Sequence, residues 1–380
     1  MPNKFIPYGC QYIDEEDIAA VVEALRDPLI TQGPRVEAFE ETVAAYCGVR
    51  YAVAFNSGTS ALHGAMFAAG VGPGDEVITS PLTFVASANA AVYMGARPVL
   101  VDISRDSYCL DIDKMEAAIT ERTRAIVAVD YAGYPVDLVR IKEIAARYHL
   151  MVIEDAAHAL GAKRDGQMVG SQADMTMFSF HPVKHITTGE GGMIVCHDEA
   201  LYQRLKLLRS HGITRDEALL EGHDGPWYYE MQELGFNYRI TDIQCALGLS
   251  QLNKLEGFIS ARNRLARRYD VALNDLAWLD TPPLAVKDGR HAYHLYPIVV
   301  QEPVDRRELF NYLREASIGV QVHYIPVHLQ PFYRRNFGYS PGDFPLAEAF
   351  YAGEISLPMF ASLTDADQDY VIERLLNFRP

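Results

Sequence analysis

The chain has 380 residues, 49% hydrophobic and 22% charged, the make-up of an ordinary globular protein long enough for one large domain plus a smaller one. Its formal net charge of −16 argues against nucleic acid or an anionic membrane as the main partner, so an anionic ligand would need a locally built site. No secretory leader and no apolar run of ~18 residues is seen, and five cysteines without a CxxC pair suit neither a disulfide framework nor zinc. The expectation is a reduced, cytoplasmic setting without a metal.

In chain order, 37–47 reads as a helix, 51–57 as a strand running into a turn, and 59–70 as the next helix, closed by Gly70. Residues 75–81, 97–103, 123–131 and 150–156 are short, nearly continuous apolar runs, the pattern of parallel strands buried on both faces. A helical segment, 138–149, lies between the last two. This alternation predicts an α/β domain with a mostly parallel central sheet. From Met175 the pattern changes to two strands, 174–180 and 191–197, separated by a loop. A long helical stretch is expected over 241–273, leading to a smaller α+β C-terminal domain with helix 306–317, strand 319–326 and helix 365–378. The boundary is placed at 250, giving a large domain over 1–250 and a small one over 251–380, with the N-terminal arm packing on the small one.

Three places carry residues suited to chemistry. Asn56-Ser57-Gly58-Thr59-Ser60 falls where a strand passes into a helix, and free N–H groups with the hydroxyls of Thr59 and Ser60 can hold a phosphate there. The same residues also make an ordinary helix cap. Asp155 stands at the carboxyl end of a parallel strand, where ligands of open α/β sheets bind, and could pair with a protonated ring nitrogen or simply cap the next helix. Glu154 should point to the opposite face. His158 could hydrogen-bond a ring hydroxyl or be structural. Lys184 lies in a short loop between apolar strands, with Gly189, Gly191 and Gly192 after it. Partial desolvation there would favour the neutral amine that forms imines, although most loop lysines are merely solvated. Ser179, five residues earlier, can reach the same phosphate.

In this order, together with TQGPRVEAFE (31–40) and GFNYRITDIQCALG (235–248), the chain resembles the fold-type I pyridoxal-phosphate (PLP) enzymes. Within them it is similar to the DegT/DnrJ/EryC1/StrS family of sugar aminotransferases over nearly its whole length. The resemblance implies pyridoxal 5'-phosphate as cofactor, Lys184 as the Schiff-base and proton-carrying lysine, and Asp155 as the partner of the pyridine nitrogen. It also implies His158 near the ring hydroxyl, Gly58, Thr59, Ser60 and Ser179 as the phosphate cradle, and Phe84 stacked on the ring. Asn237 would reach the phosphate of a neighbouring subunit, implying a homodimer. Tyr238 and Arg239 would shape that interface or be structural.

Several segments, among them VDYAGYPVD, SFHPVKHITTGEGG and GVQVHYIPVHLQPFY, are similar to the subgroup serving pseudaminic acid biosynthesis. That subgroup aminates C4 of a UDP-linked 4-keto-6-deoxy-N-acetyl-hexosamine and takes nitrogen from L-glutamate. One departure is His185, which follows Lys184 where Pro is expected. The resemblance implies Tyr8, His181, His323, Tyr324 and His328 as candidates for the sugar-nucleotide pocket, with His328 also readable as a surface residue. Other keto-sugar nucleotides, a PLP lyase or dehydratase, and a non-catalytic binding protein on the same fold stay open as alternatives.

Overall fold

The computed structural model describes residues 5–283 and 286–379. Its centre is a seven-stranded sheet of β1 (Tyr51–Phe55), β2 (Glu76–Thr79), β3 (Arg97–Leu100), β4 (Thr123–Val129), β5 (Met151–Asp155), β6 (Met175–Ser179) and β7 (Gly192–Cys196). The strand order is β1-β7-β6-β5-β4-β2-β3. Neighbours from β6 to β3 run parallel, and β7 alone is reversed, pairing antiparallel with both β1 and β6. The expected mostly parallel sheet is what the chain builds.

Both faces are buried because adjacent residues of each strand serve different layers. Phe55, Ile153, Met177 and Ile194 face one core with Leu62 and Met66 of α3 (Gly58–Ala68), the helix that follows α1 (Glu15–Ala24) and α2 (Pro34–Cys47). Ala54, Phe178 and Val195 face another with Phe39 and Val43 of the helix Pro34–Cys47. At the far side of the sheet, Ile126 and Val152 pack on Leu138, Ile141 and Ile144 of the helix Leu138–Tyr148.

The smaller C-terminal layer is α+β: a three-stranded antiparallel sheet of Leu279–Asp280, Tyr296–Val300 and Glu354–Leu357, packed with the helices Arg306–Glu315 and Asp365–Asn377. Ile6 of the N-terminal arm enters this core, and its N–H donates to the Ser317 carbonyl at 3.0 Å.

Two local expectations change. The helical stretch 241–273 is two helices, Asp242–Leu252 and Leu255–Leu273, interrupted at Asn253 and Lys254. At this break Gln251 donates to Tyr12 O and Asp17, while the Lys254 ammonium pairs with Asp14 and Asp17. These tethers to the N-terminal segment favour a turn over one continuous rod. The expected strand at 319–326 has only isolated bridges. Its donors go elsewhere: Gly319 N–H to the Ile6 carbonyl at 2.6 Å, and His323 N–H to the Glu354 carboxylate at 2.7 Å. Among the described residues no helix is long and apolar enough to cross a membrane, and no group of side chains could hold a metal ion.

Candidate active site

A cavity of about 390 Å³ opens at the carboxyl ends of β5 and β6. The turn after β1 brings Ser57, Gly58 and Thr59 to it. Ser57 caps α3, its hydroxyl accepting from Ser60 N–H at 3.1 Å, so the next N–H groups stand at the positive end of the helix. Gly58 lies so close to β6 that a Cβ would sit 3.2 Å from Met177 Sδ and 3.4 Å from Ser179 Oγ. Phe84, Asp155, His158, Ser179, Lys184, Tyr8, His181, His323 and Tyr324 line the same cavity.

Three expected residues lie elsewhere in the subunit. Ser60 is buried, and its hydroxyl is spent on Asn56 Oδ1 (2.7 Å) and the Ser57 carbonyl (2.8 Å), completing the cap instead of facing the cavity. His328 is wholly buried behind the lining, with Nε2 2.8 Å from Glu348 Oε1 and its ring edge-on to Phe344. Asn237 is exposed outside this cavity, bridged to Ser210.

The electrostatics follow from burial. Asp155 is pushed up by burial, with the Ser87 hydroxyl at 2.6 Å, the Ala157 N–H at 3.2 Å and the positive Lys184 pulling the other way. Glu154 points to the other face, accepting from Thr176 and Gly170. Burial pulls the Lys184 ammonium down to about 8, opposed by Asp155 and aided by Arg262. Lys184 Nζ is 3.4 Å from His294 Nε2. His158 is driven far below its ordinary range by burial and then by Lys184, so it is neutral. Its Nε2 is 3.1 Å from the Tyr324 hydroxyl, while Nδ1 is buried without a partner among the described residues. The Tyr324 ring in turn tilts against Phe84, which is 57% exposed and lines the cavity.

Sequence reasoning missed Ser87, His294 and Arg262. Ser87 lies 68 positions from Asp155 and His294 110 from Lys184, so no local spacing could announce either pair. Ser57, in the same turn, lines the cavity where Ser60 does not.

The sequence model of the DegT/DnrJ/EryC1/StrS aminotransferase family matches residues 11–376. The chain belongs to this family. Among its relatives, the spore coat polysaccharide biosynthesis protein SpsC of Bacillus subtilis is 43% identical, covering 98% of this chain and 96% of its own. The UDP-4-amino-4,6-dideoxy-N-acetyl-beta-L-altrosamine transaminase of Campylobacter jejuni is 40% identical over 98% of this chain and 97% of its own. Among solved structures, Helicobacter pylori PseC, an aminotransferase of pseudaminic acid biosynthesis, superposes with a TM-score of 0.91 at 34% identity, covering 98% of each chain. The PLP form of the sugar aminotransferase Spr1654 of Streptococcus pneumoniae gives 0.90 at 33% identity, covering 97% of each chain.

This member of the DegT/DnrJ/EryC1/StrS family is a PLP-dependent aminotransferase of sugar nucleotides. The cavity fits that cofactor. A helix N-terminus with hydroxyls on both sides suits a phosphate, a buried carboxylate suits a protonated pyridine nitrogen, and a lysine of lowered basicity suits imine formation. A Cβ on Gly58 would press on Met177 and Ser179, which would have to give by a few tenths of an ångström.

Proposed function

We propose that the protein transfers the amino group of L-glutamate to C4 of a UDP-linked 4-keto-6-deoxy-N-acetyl-hexosamine, as in pseudaminic acid biosynthesis. The observation that carries the chemistry is the convergence of Lys184 and Asp155, 29 positions apart, on one cavity with the α3 N-terminus. The substrate assignment is supported by the similarity to the Campylobacter and Helicobacter enzymes. Bound, PLP supplies an electron sink and a temporary carrier for the amino group.

The chain's own residues divide the work. Gly58 and Thr59 N–H with the Thr59 and Ser179 hydroxyls would hold the phosphate. Asp155, steadied by Ser87, would take the ring nitrogen's N–H and keep it protonated. His158 would meet the ring hydroxyl, and Phe84 would stack on the ring. Lys184 moves the proton, taking it from the donor's α-carbon and giving it back on the way to the sugar. Tyr8, His181, His323 and Tyr324 line the mouth, where the sugar nucleotide must enter. Asn237 belongs to the partner's cavity in a homodimer, which accounts for its exposure outside its own.

The test begins with the visible spectrum of the purified protein. A cofactor band that bleaches with L-glutamate, and is absent from K184A, supports the first half-reaction. A panel of UDP-, GDP- and dTDP-linked keto sugars, assayed by amino-sugar formation, then decides the acceptor. Preference for another keto sugar would overturn the substrate assignment while leaving the chemistry, an outcome that the SpsC similarity makes the second reading. Mixing K184A and N237A subunits tests the dimer: restored activity requires one intact shared site.

A further inference from the structure

Lys184 Nζ has one hydrogen-bonding neighbour among the described residues, and it is His294 Nε2 at 3.4 Å. This histidine comes from the segment leading into Tyr296–Val300, outside the central sheet. Its ring lies 4.3 Å from that of His158, and its Nδ1 is buried without a partner among the described residues. The backbone under it is pinned. Arg262, wholly buried, donates to the carbonyls of Tyr293 (3.1 Å), His294 (3.3 Å) and Met359 (2.9 Å).

We propose that His294 is a positioning residue for Lys184, accepting an N–H bond at Nε2 and holding the ε-amino group in place while it carries the transferred proton. The proposal rests on the reading of Lys184 as the proton carrier. When the C–H bond of the amino donor breaks, the proton adds to the Nζ lone pair, and the bound cofactor would take up the electron pair left on carbon. The amine becomes an ammonium with three donors in a buried place, and a donor left unmet there is costly. His294 supplies a lone pair and nothing else, because it stays neutral.

Burial is the first cause of that neutrality, and the cation and histidines around Lys184 add to it. Asp155 approaches from β5, His158 from the turn after it, His185 from the lysine's own loop, Arg262 from the helix Leu255–Leu273, and His323 from the segment after the helix Arg306–Glu315. Burial, with Lys184, His158, His185 and Arg262 around it, drives His294 far below its ordinary range. It therefore accepts a hydrogen bond without taking the proton, which Lys184 keeps until it returns to carbon.

The test uses H294F, which keeps a ring but no acceptor, and H294Q, whose amide oxygen can accept. In cofactor-free protein, acetylation of Lys184 by acetic anhydride is followed against pH by mass spectrometry. Losing the acceptor favours the free amine, so the H294F midpoint moves down by about one pH unit, with H294Q close to wild type. In the loaded enzyme, kcat of H294F falls about tenfold at unchanged KM for L-glutamate, less than the roughly 10²–10⁴-fold that losing a general acid/base itself brings, because Lys184 is still there. A wild-type midpoint in H294F, or equal shifts in both variants, overturns the assignment. Should H294F not fold, ¹⁵N-histidine spectra of the wild-type chain decide instead: Nε2 must be the unprotonated nitrogen and must shift in K184M. An Nε2–H tautomer overturns the proposal. Transamination surviving in K184A would remove the underlying reading of Lys184, an outcome kept distinct because the labelling needs neither cofactor nor substrate.

Discussion

Replacing Gly192 by alanine adds a methyl group at the start of β7, directly against the turn that opens α3. A Cβ there would lie 2.5 Å from the Ser57 carbonyl oxygen and 2.6 Å from Gly58 N. Both are backbone atoms, so no side chain can swing aside, and the turn must retreat by most of an ångström to reach ordinary contact. Overpacking of this kind costs about 1–3 kcal/mol. The displaced atoms belong to the proposed phosphate cradle, so the strain should appear in cofactor affinity as well as in stability. Titrating cofactor-free G192A with PLP, followed by absorbance, should give a Kd raised about 5- to 150-fold, the equivalent of that cost. Gly257 is the control: it is exposed in the helix Leu255–Leu273 with nothing within 4 Å of an added Cβ. G257A should bind PLP as wild type does and gain up to about 1 kcal/mol in urea unfolding. An unchanged Kd for G192A would refute the reasoning, because it would mean that the turn tolerates displacement without touching the phosphate.

Other expectations follow from the same geometry. In cofactor-free protein the Lys184 ammonium ionises at about 8 when folded and near its ordinary value when unfolded, so the unfolded chain binds more protons between those limits. Stability therefore rises with pH from about 8 to about 10, and K184M, freed of the buried ammonium, should exceed wild type by at most about 3 kcal/mol at pH 7, with the gap closing as pH rises; a pH-independent difference in urea unfolding contradicts this. Ser87→Ala removes the 2.6 Å donor to Asp155, a charge-assisted bond of about 1.5 kcal/mol, and should weaken PLP binding about tenfold in the same titration. His328→Asn breaks the buried contact with Glu348 and should cost about 2 kcal/mol of stability while leaving KM for the sugar nucleotide unchanged. A changed KM would return His328 to the substrate pocket.

What was legible in the sequence was what local chemistry marks. β5 shows itself as an apolar run ending in Asp155, and the β1–α3 turn as a cluster of small residues before a helix. Lys184 stands out between two strands and a glycine-rich exit. The order of strands in the sheet, and the reversal of β7, depend on pairings between distant segments and leave no periodic mark. The break at Asn253 and Lys254 was hidden because the helical pattern continues across it, and the reason for stopping lies at Asp14 and Asp17. Ser60 and His328 show the opposite limit: the right residue types near the right motif, turned by a cap and by Glu348 away from the cavity.

The helix Leu255–Leu273 gives its first turns, Leu255 and Ile259, to the core beneath β1 and β7, and its later turns, Leu265, Tyr269 and Leu273, to the core of the C-terminal layer. One rod is thus mortised into both bodies. Neither can come apart without stripping apolar surface from the other, so thermal unfolding should run through a single shared transition. The same rod carries Arg262 at the junction, where it grips the backbone of His294 beside Lys184. A tilt of the C-terminal layer would therefore reach the lysine through a stiff axle, a mechanical route from that layer to the group that carries the proton.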